Sequence, residues 1–324
     1  MISTKRNNSN FSYFVPKKYA IFDMAILLQN VQKLKMKQLI KSTYVLIVIL
    51  LISSCTENAS DIGESSISKI DTVLLNVKYG NHPRQIMDIH LPADRDSSTP
   101  VIMIIHGGAW KAGQKEDMNM VVQLIKKYWS NVAIANINYR YASLKDGVHH
   151  REMMSDIASA FTHLKNNRSR YAISEKYGMS GASAGGHLAM IYAYSMTDDI
   201  QCIGNIFGPS NLRDWDWYAS YNVFLGSKVG DILTEYVGKS WDTTAYATVS
   251  PITYIQSKTP PTITFHGSLD PIVPKYQSQY LHGFLTASGV ANAFHQYLAY
   301  HGFDNTQSDD VAKKMVTFMK MYIR

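Results

Sequence analysis

The sequence predicts an α/β fold: a mostly parallel central sheet of about eight strands, flanked by helices and interrupted by one insertion. Three observations carry that expectation. From residue 69 onward, short β-branched runs alternate with longer stretches of helical period. The run Val101-Ile-Met-Ile-Ile105 is apolar at every position, as a strand buried on both faces must be. Residues 210–250 break the alternation, showing no clear strand and holding three of the five tryptophans, Trp215, Trp217 and Trp241. An insertion that follows a strand's C-terminal end in such a sheet lies over the ligand crevice, so the segment reads as a lid of about 40 residues.

In chain order, strands are expected at 72–77, 85–90, 101–105, 132–137, 177–180, 202–207, 262–266 and 293–298. The first two flank the turn cluster Gly80-Asn-His-Pro83 and predict an antiparallel hairpin at one sheet edge. Helices are expected at 116–127, 150–165, 183–194, 277–286 and 309–321. In the second of these, Met153, Ile157, Ala160, Phe161 and Leu164 recur on one face.

Charge separates a leader from a body. Residues 1–54 hold eight of the 32 Lys/Arg and one of the 25 Asp/Glu, so the rest of the 324-residue chain carries 24 of each. The net charge of +7 therefore belongs to the leader, and the body lacks the clustered basic footprint that nucleic-acid binding requires. Lys37 and Lys41 precede nine apolar residues, 44–52, and then Ser53-Ser54-Cys55. A basic region, a short apolar core and small residues make an export signal, and nine residues are too few for a membrane-spanning helix, which takes roughly 20. The ending resembles a bacterial lipobox with Cys55 lipidated, which implies a membrane partner through that lipid; an ordinary signal peptide or an uncleaved anchor remain the alternatives. Met36 offers a start that gives the signal a usual length, as an alternative to Met1. Residues 55–68, rich in Ser, Glu, Asp and Gly, read as a tether to a catalytic domain over 69–324. Cys202 lies among Ile200, Ile203 and Ile206 and reads as a core residue.

Gly181-Ala-Ser183-Ala-Gly185 stands where a strand meets a helix. A nucleophilic serine there needs a sharp turn that exposes its Oγ, and glycines two residues to either side relieve the clashes this turn creates. The helix that follows points its positive end at the serine, and the Ala184 amide is a candidate oxyanion donor. His106-Gly107-Gly108-Ala109-Trp110 closes the apolar strand, with the Gly107 and Gly108 amides as the second half of an oxyanion hole. His106 reads as a brace of that loop. Trp110 either lines an acyl pocket or packs beneath the loop.

The order Ser…Asp…His then selects the partners. Asp270 follows the strand at 262–266 in a turn stiffened by Pro271 and Pro274. Of the three later histidines, His282 falls within a helix and His295 within a strand. His301 sits in the loop before the last helix, from which a side chain can reach back to Ser183 as general base. His149 and His150 are adjacent and do not converge on one ion, and no Cys/His cluster has zinc spacing. Neither metal nor cofactor is expected.

With these motifs in place, the chain resembles α/β-hydrolase esterases of the hormone-sensitive-lipase-like and bacterial acetyl/feruloyl esterase type. The likeness runs from about Val77 to the C-terminus and rests on residues 106–110, 138–142, 181–189 and 265–274. It implies the α/β-hydrolase fold, a Ser183–His301–Asp270 triad acting through an acyl-enzyme, and a structural role for Asn138-Tyr139-Arg140. Where the lipases of this type carry a third loop glycine, this chain has Ala109, which argues against bulky tertiary-alcohol esters. The expected activity is a serine carboxylesterase acting on short-chain or aromatic acyl esters of small molecules or glycans. Trp110, Trp215 and Trp217 are candidate substrate contacts, with lid core as the other reading of Trp215 and Trp217. A His-Gly-Gly-x-Trp motif also occurs in kynurenine formamidases, which leaves an amide substrate as the alternative. A non-catalytic binding lipoprotein on the same fold is the third reading, since fold alone does not give function.

Overall fold

A computed structural model describes residues 70–220 and 223–323. The leader, Cys55 and the tether lie outside the described residues.

The strands are β1 (Thr72–Lys78), β2 (Ile86–Leu91), β3 (Val101–Ile105), β4 (Ala133–Ile137), β5 (Tyr177–Ala182), β6 (Ile200–Ile206), β7 (Val223–Phe224), β8 (Ser227–Lys228), β9 (Thr262–Gly267) and β10 (Asn292–Tyr297). The helices are α1 (Asn119–Tyr128), α2 (His150–Asn166), α3 (Arg168–Tyr171), α4 (Ala184–Ser195), α5 (Trp215–Tyr218), α6 (Val229–Val237), α7 (Thr243–Thr248), α8 (Tyr276–Ala287) and α9 (Asn305–Tyr322). Eight strands form one sheet in the order β1-β2-β4-β3-β5-β6-β9-β10. The β1–β2 and β2–β4 pairs are antiparallel and the remaining pairs parallel.

Alternate residues of β3 point to opposite faces and seed two cores. Val101, Met103 and Ile105 join a core with Met153, Ile157 and Leu164 of α2 and Leu188 of α4. Ile102 and Ile104 join another with Val122 and Ile125 of α1 and Val311 and Met315 of α9. Cys202 is fully buried in this second core. Every residue of α4 but Ser195 is buried, so the helix behind Ser183 is wedged among core residues.

The 210–250 segment differs from its sequence expectation. It contains a short antiparallel ribbon, β7–β8, beside α5, α6 and α7. Two-residue strands are too brief to leave a period-2 pattern, which is why none was visible. The helix expected from 116 begins as a 3₁₀ turn, Lys115–Met118, and continues as α1. The four-residue α3 carries no periodicity of its own and was not expected. Among the described residues, no helix is long and apolar enough to cross a membrane.

Candidate active site

Ser183 sits between β5 and α4 with φ of 53°, a left-handed conformation that is strained for any residue with a Cβ. The turn needs Gly185: a Cβ there would stand 2.1 Å from the carbonyl oxygen of Ile105. The first helical hydrogen bond of α4 runs from the His187 amide to the Ser183 carbonyl, at 3.0 Å. The amides before it, Ala184 included, therefore lack intrahelical partners and carry the positive end of the helix dipole.

His301 reaches this turn from the loop between β10 and α9. Its Nδ1 lies 2.6 Å from Asp270 Oδ2 and its Nε2 lies 2.9 Å from Ser183 Oγ. A carboxylate only accepts, so Nδ1 carries the hydrogen and Nε2 is left to accept from the serine hydroxyl. The other carboxylate oxygen, Oδ1, accepts the amides of Ile272 at 2.9 Å and Val273 at 3.0 Å. Burial alone would push the Asp270 carboxyl up; hydrogen bonds from His266 and His301 outweigh it and hold the group well below the usual carboxylate range. His301 also packs against Phe207, ring centroids 4.6 Å apart. His282 is buried in α8 with Nδ1 on Asn292, and His295 stacks on Phe265 in the sheet; neither joins the serine.

The loop from His106 to Trp110 lies against the same serine, with a Cβ at Gly107 falling 3.3 Å from Ser183 Cβ. Gly108, Ala109 and Trp110 have consecutive positive φ values of 109°, 49° and 58°. Side chains hold this strained path from below. The Tyr139 hydroxyl donates to the His106 carbonyl at 3.0 Å, and its ring stacks on His106. Arg84 donates to His106 Nε2 at 3.2 Å, which leaves the hydrogen on Nδ1 to be donated to the Gly107 carbonyl at 2.6 Å. In a trans peptide the C=O and the next N–H point opposite ways. With the carbonyls of His106 and Gly107 anchored, the amides of Gly107 and Gly108 are turned away from the anchors. Burial pushes His106 down to about 4, so the brace is neutral near neutrality.

Ser183 opens on a narrow apolar cavity of about 30 Å³. Its wall includes Ala109 and Trp110 of the loop, Ile272 and Val273 beside Asp270, and Trp217, Phe224 and Leu233 of the 210–250 segment. Trp110 lines the cavity and also stacks on buried Tyr236. Trp217 is buried, with its indole N–H on the Ile272 carbonyl at 2.8 Å. Trp215 does not line this cavity; it is 54% exposed and stacks on Tyr218. Sequence reasoning assigned no role to His266, Arg84, Phe224, Leu233 or Tyr236. Only His266 left a signal, as a histidine at the end of the strand that delivers Asp270. Among the described residues, no group of three His, Cys, Asp or Glu could hold a metal ion.

A family model, BD-FAE, matches residues 87–285. The chain is 28% identical to the probable carboxylic ester hydrolase LipM of Mycobacterium tuberculosis over 63% of its own length and 49% of the relative's. It is 25% identical to the esterase LipQ of the same organism, over 71% of its length and 57% of the relative's. The chain thus spans about half the length of the curated relatives it matches. A truncated carbohydrate esterase from gut microbiota superposes with a TM-score of 0.64 at 21% identity, covering 77% of this chain and 96% of that one. At that identity the likeness speaks for the fold, an α/β-hydrolase sheet.

Proposed function

The chain belongs to the BD-FAE family, and from that premise we propose that it is a serine carboxylesterase removing short acyl groups, acetyl foremost, from carbohydrate esters. The observation that carries this reading is the hydrogen-bonded series Asp270–His301–Ser183 at the mouth of a narrow apolar cavity. Ser183 Oγ attacks the ester carbonyl while His301 Nε2 takes its proton. The amides of Gly107, Gly108 and Ala184 receive the charge that forms on the carbonyl oxygen. As the C–O bond breaks, His301 returns the proton to the leaving alcohol oxygen; water then attacks the acyl carbonyl, His301 takes its proton, and that proton passes to Ser183 Oγ as the acid departs.

A narrow, apolar acyl cavity beside Ser183 supports a short acyl group, acetyl foremost, over a bulky one. The likeness to a carbohydrate esterase and the exposed Trp215, backed by Tyr218 and suited to a sugar ring, support a glycan alcohol. The leader read from residues 37–55 supports export with a lipid on Cys55.

A fluorophosphonate probe tests the nucleophile: wild type is expected to label and Ser183→Ala is not. Equal labelling of both would overturn the reading. Hydrolysis of p-nitrophenyl acetate and acetylated xylan, but not methyl ferulate or N-formylkynurenine, is the expected pattern. Preference for the formyl amide would replace the esterase with an amidase.

A further inference from the structure

Asp270 is held by a second imidazole that the hydrolytic steps above leave unused. His266 lies in β9, fully buried, four residues before Asp270. Its Nε2 stands 2.8 Å from the Val273 carbonyl and 3.3 Å from Asp270 Oδ2. Both neighbours are acceptors, so Nε2 carries the hydrogen and is shared between them. Its Nδ1 lies 2.7 Å from the hydroxyl of Ser278, a buried residue of α8, which therefore donates. The tautomer of His266 is thus fixed from both ends. It ties the loop carrying Asp270 to the strand behind it and to the helix after it.

The consequence falls on Oδ2. That oxygen accepts a short hydrogen bond from His301 and lies 3.3 Å from the His266 imidazole N–H, while Oδ1 is occupied by two backbone amides. Facing the carboxylate are therefore His266 from β9 and His301 from the loop before α9. His301 in turn meets Asp270, the Ser183 hydroxyl and the uncharged rings of Phe207 and Phe224. We propose that His266 is a positioning residue for the Ser183 reaction: its Nε2–H sets the direction of Oδ2 and shares its charge, and so governs how strongly Asp270 holds His301. The inference rests on the serine-hydrolase reading given above.

Two substitutions separate positioning from bulk. His266→Gln can place an amide N–H near the Nε2 position, whereas His266→Asn reaches only as far as Nδ1. The rates of fluorophosphonate labelling and of p-nitrophenyl acetate hydrolysis are measured against pH for wild type and both variants. The Gln variant is expected within about threefold of wild type. The Asn variant is expected to lose roughly ten- to a hundredfold in kcat with KM little changed. Its acid limb is expected to move up by roughly half a pH unit, because Oδ2 with one donor fewer binds a charged imidazole more strongly. Equal losses in both variants, or an Asn variant with wild-type kcat and an unmoved acid limb, would overturn the proposal.

Should the Asn variant not fold, imidazole ¹⁵N shifts of the wild-type protein decide. A His266 that keeps its hydrogen on Nε2 supports the proposal, and one with hydrogen on Nδ1 overturns it. Failure of wild type to label at all would instead remove the hydrolase reading, so the two failures are distinguishable.

Discussion

The indole of Trp110 lies on the phenol ring of Tyr236, centroids 4.5 Å apart and planes 23° apart. Trp110 is the last of three consecutive left-handed residues in the loop beside Ser183. Tyr236 belongs to α6 of the 210–250 segment, is fully buried and pairs its hydroxyl with His150 Nδ1. A strained backbone persists only where its surroundings over-determine it, and here a side chain from the 210–250 segment does so. Tyr236→Ala is expected to cost about 3–5 kcal/mol in urea unfolding and to lower kcat on p-nitrophenyl acetate. Tyr236→Phe keeps the stack and loses only the bond to His150, about 1 kcal/mol, with kcat preserved. Equal kcat in the Ala and Phe variants would mean the stack does not hold the loop.

Tyr139 acts on the same loop from beneath. Its hydroxyl anchors the carbonyl of His106, and its ring stacks on the imidazole at 4.3 Å. Tyr139→Phe keeps the ring and frees that carbonyl, so the Gly107 amide loses its fixed direction. Direct removal of an oxyanion donor costs about a hundred- to a thousandfold; misdirection of one is expected to cost about tenfold in kcat, with KM unchanged. A rise in KM at constant kcat would show that the hydroxyl serves substrate binding instead.

Desolvation of three histidines makes the fold sensitive to acid. Burial is the main cause that pushes His106 and His150 down to about 4 and His187 down to about 3. Above pH 6.5 these rings are neutral in folded and unfolded chains alike. Below it the unfolded chain takes up protons first, so stability falls as pH drops from 6.5 towards 4. The slope is on the order of 1 kcal/mol per pH unit for each ring. Asp270 acts later: its depressed carboxyl contributes stability above the usual carboxylate range and loses it below. Urea unfolding at pH 7, 6 and 5 is expected to show the loss, and His150→Gln to reduce its slope by about one proton. Flat stability over that range would contradict the desolvation of these rings.

The parts of the site that were legible in the sequence are those that backbone geometry forces onto residue type. The β3 run is apolar throughout because both faces of that strand are covered, and Gly185 is present because the Ile105 carbonyl leaves no space for a Cβ. The order of Ser183, Asp270 and His301 along the chain likewise named three side chains that lie within hydrogen-bond reach. The illegible parts are contacts between distant side chains. Nothing in the period of residues 229–237 tells that Tyr236 meets Trp110, or that Trp215 turns outward while Trp217, two residues on, turns inward. His266 was visible as a letter in a strand, but its role depends on where Val273 and Ser278 fold back.

On the proposed acylation of Ser183, the cavity wall beside it sets the acyl length. Leu233 lines the narrow cavity from α6 and is fully buried. Leu233→Ala removes three carbons and extends the space beside the acyl carbon, at a cost of about 2–5 kcal/mol in stability. A methylene gained or lost in an apolar pocket changes discrimination by about 1–3 kcal/mol. The ratio of kcat/KM for p-nitrophenyl butyrate to that for the acetate is therefore expected to rise about tenfold or more. The comparison is internal to each variant, so loss of folded protein does not mimic the change. A ratio equal to that of wild type would place the acyl group elsewhere, on the open side of Ser183 rather than under the 210–250 segment.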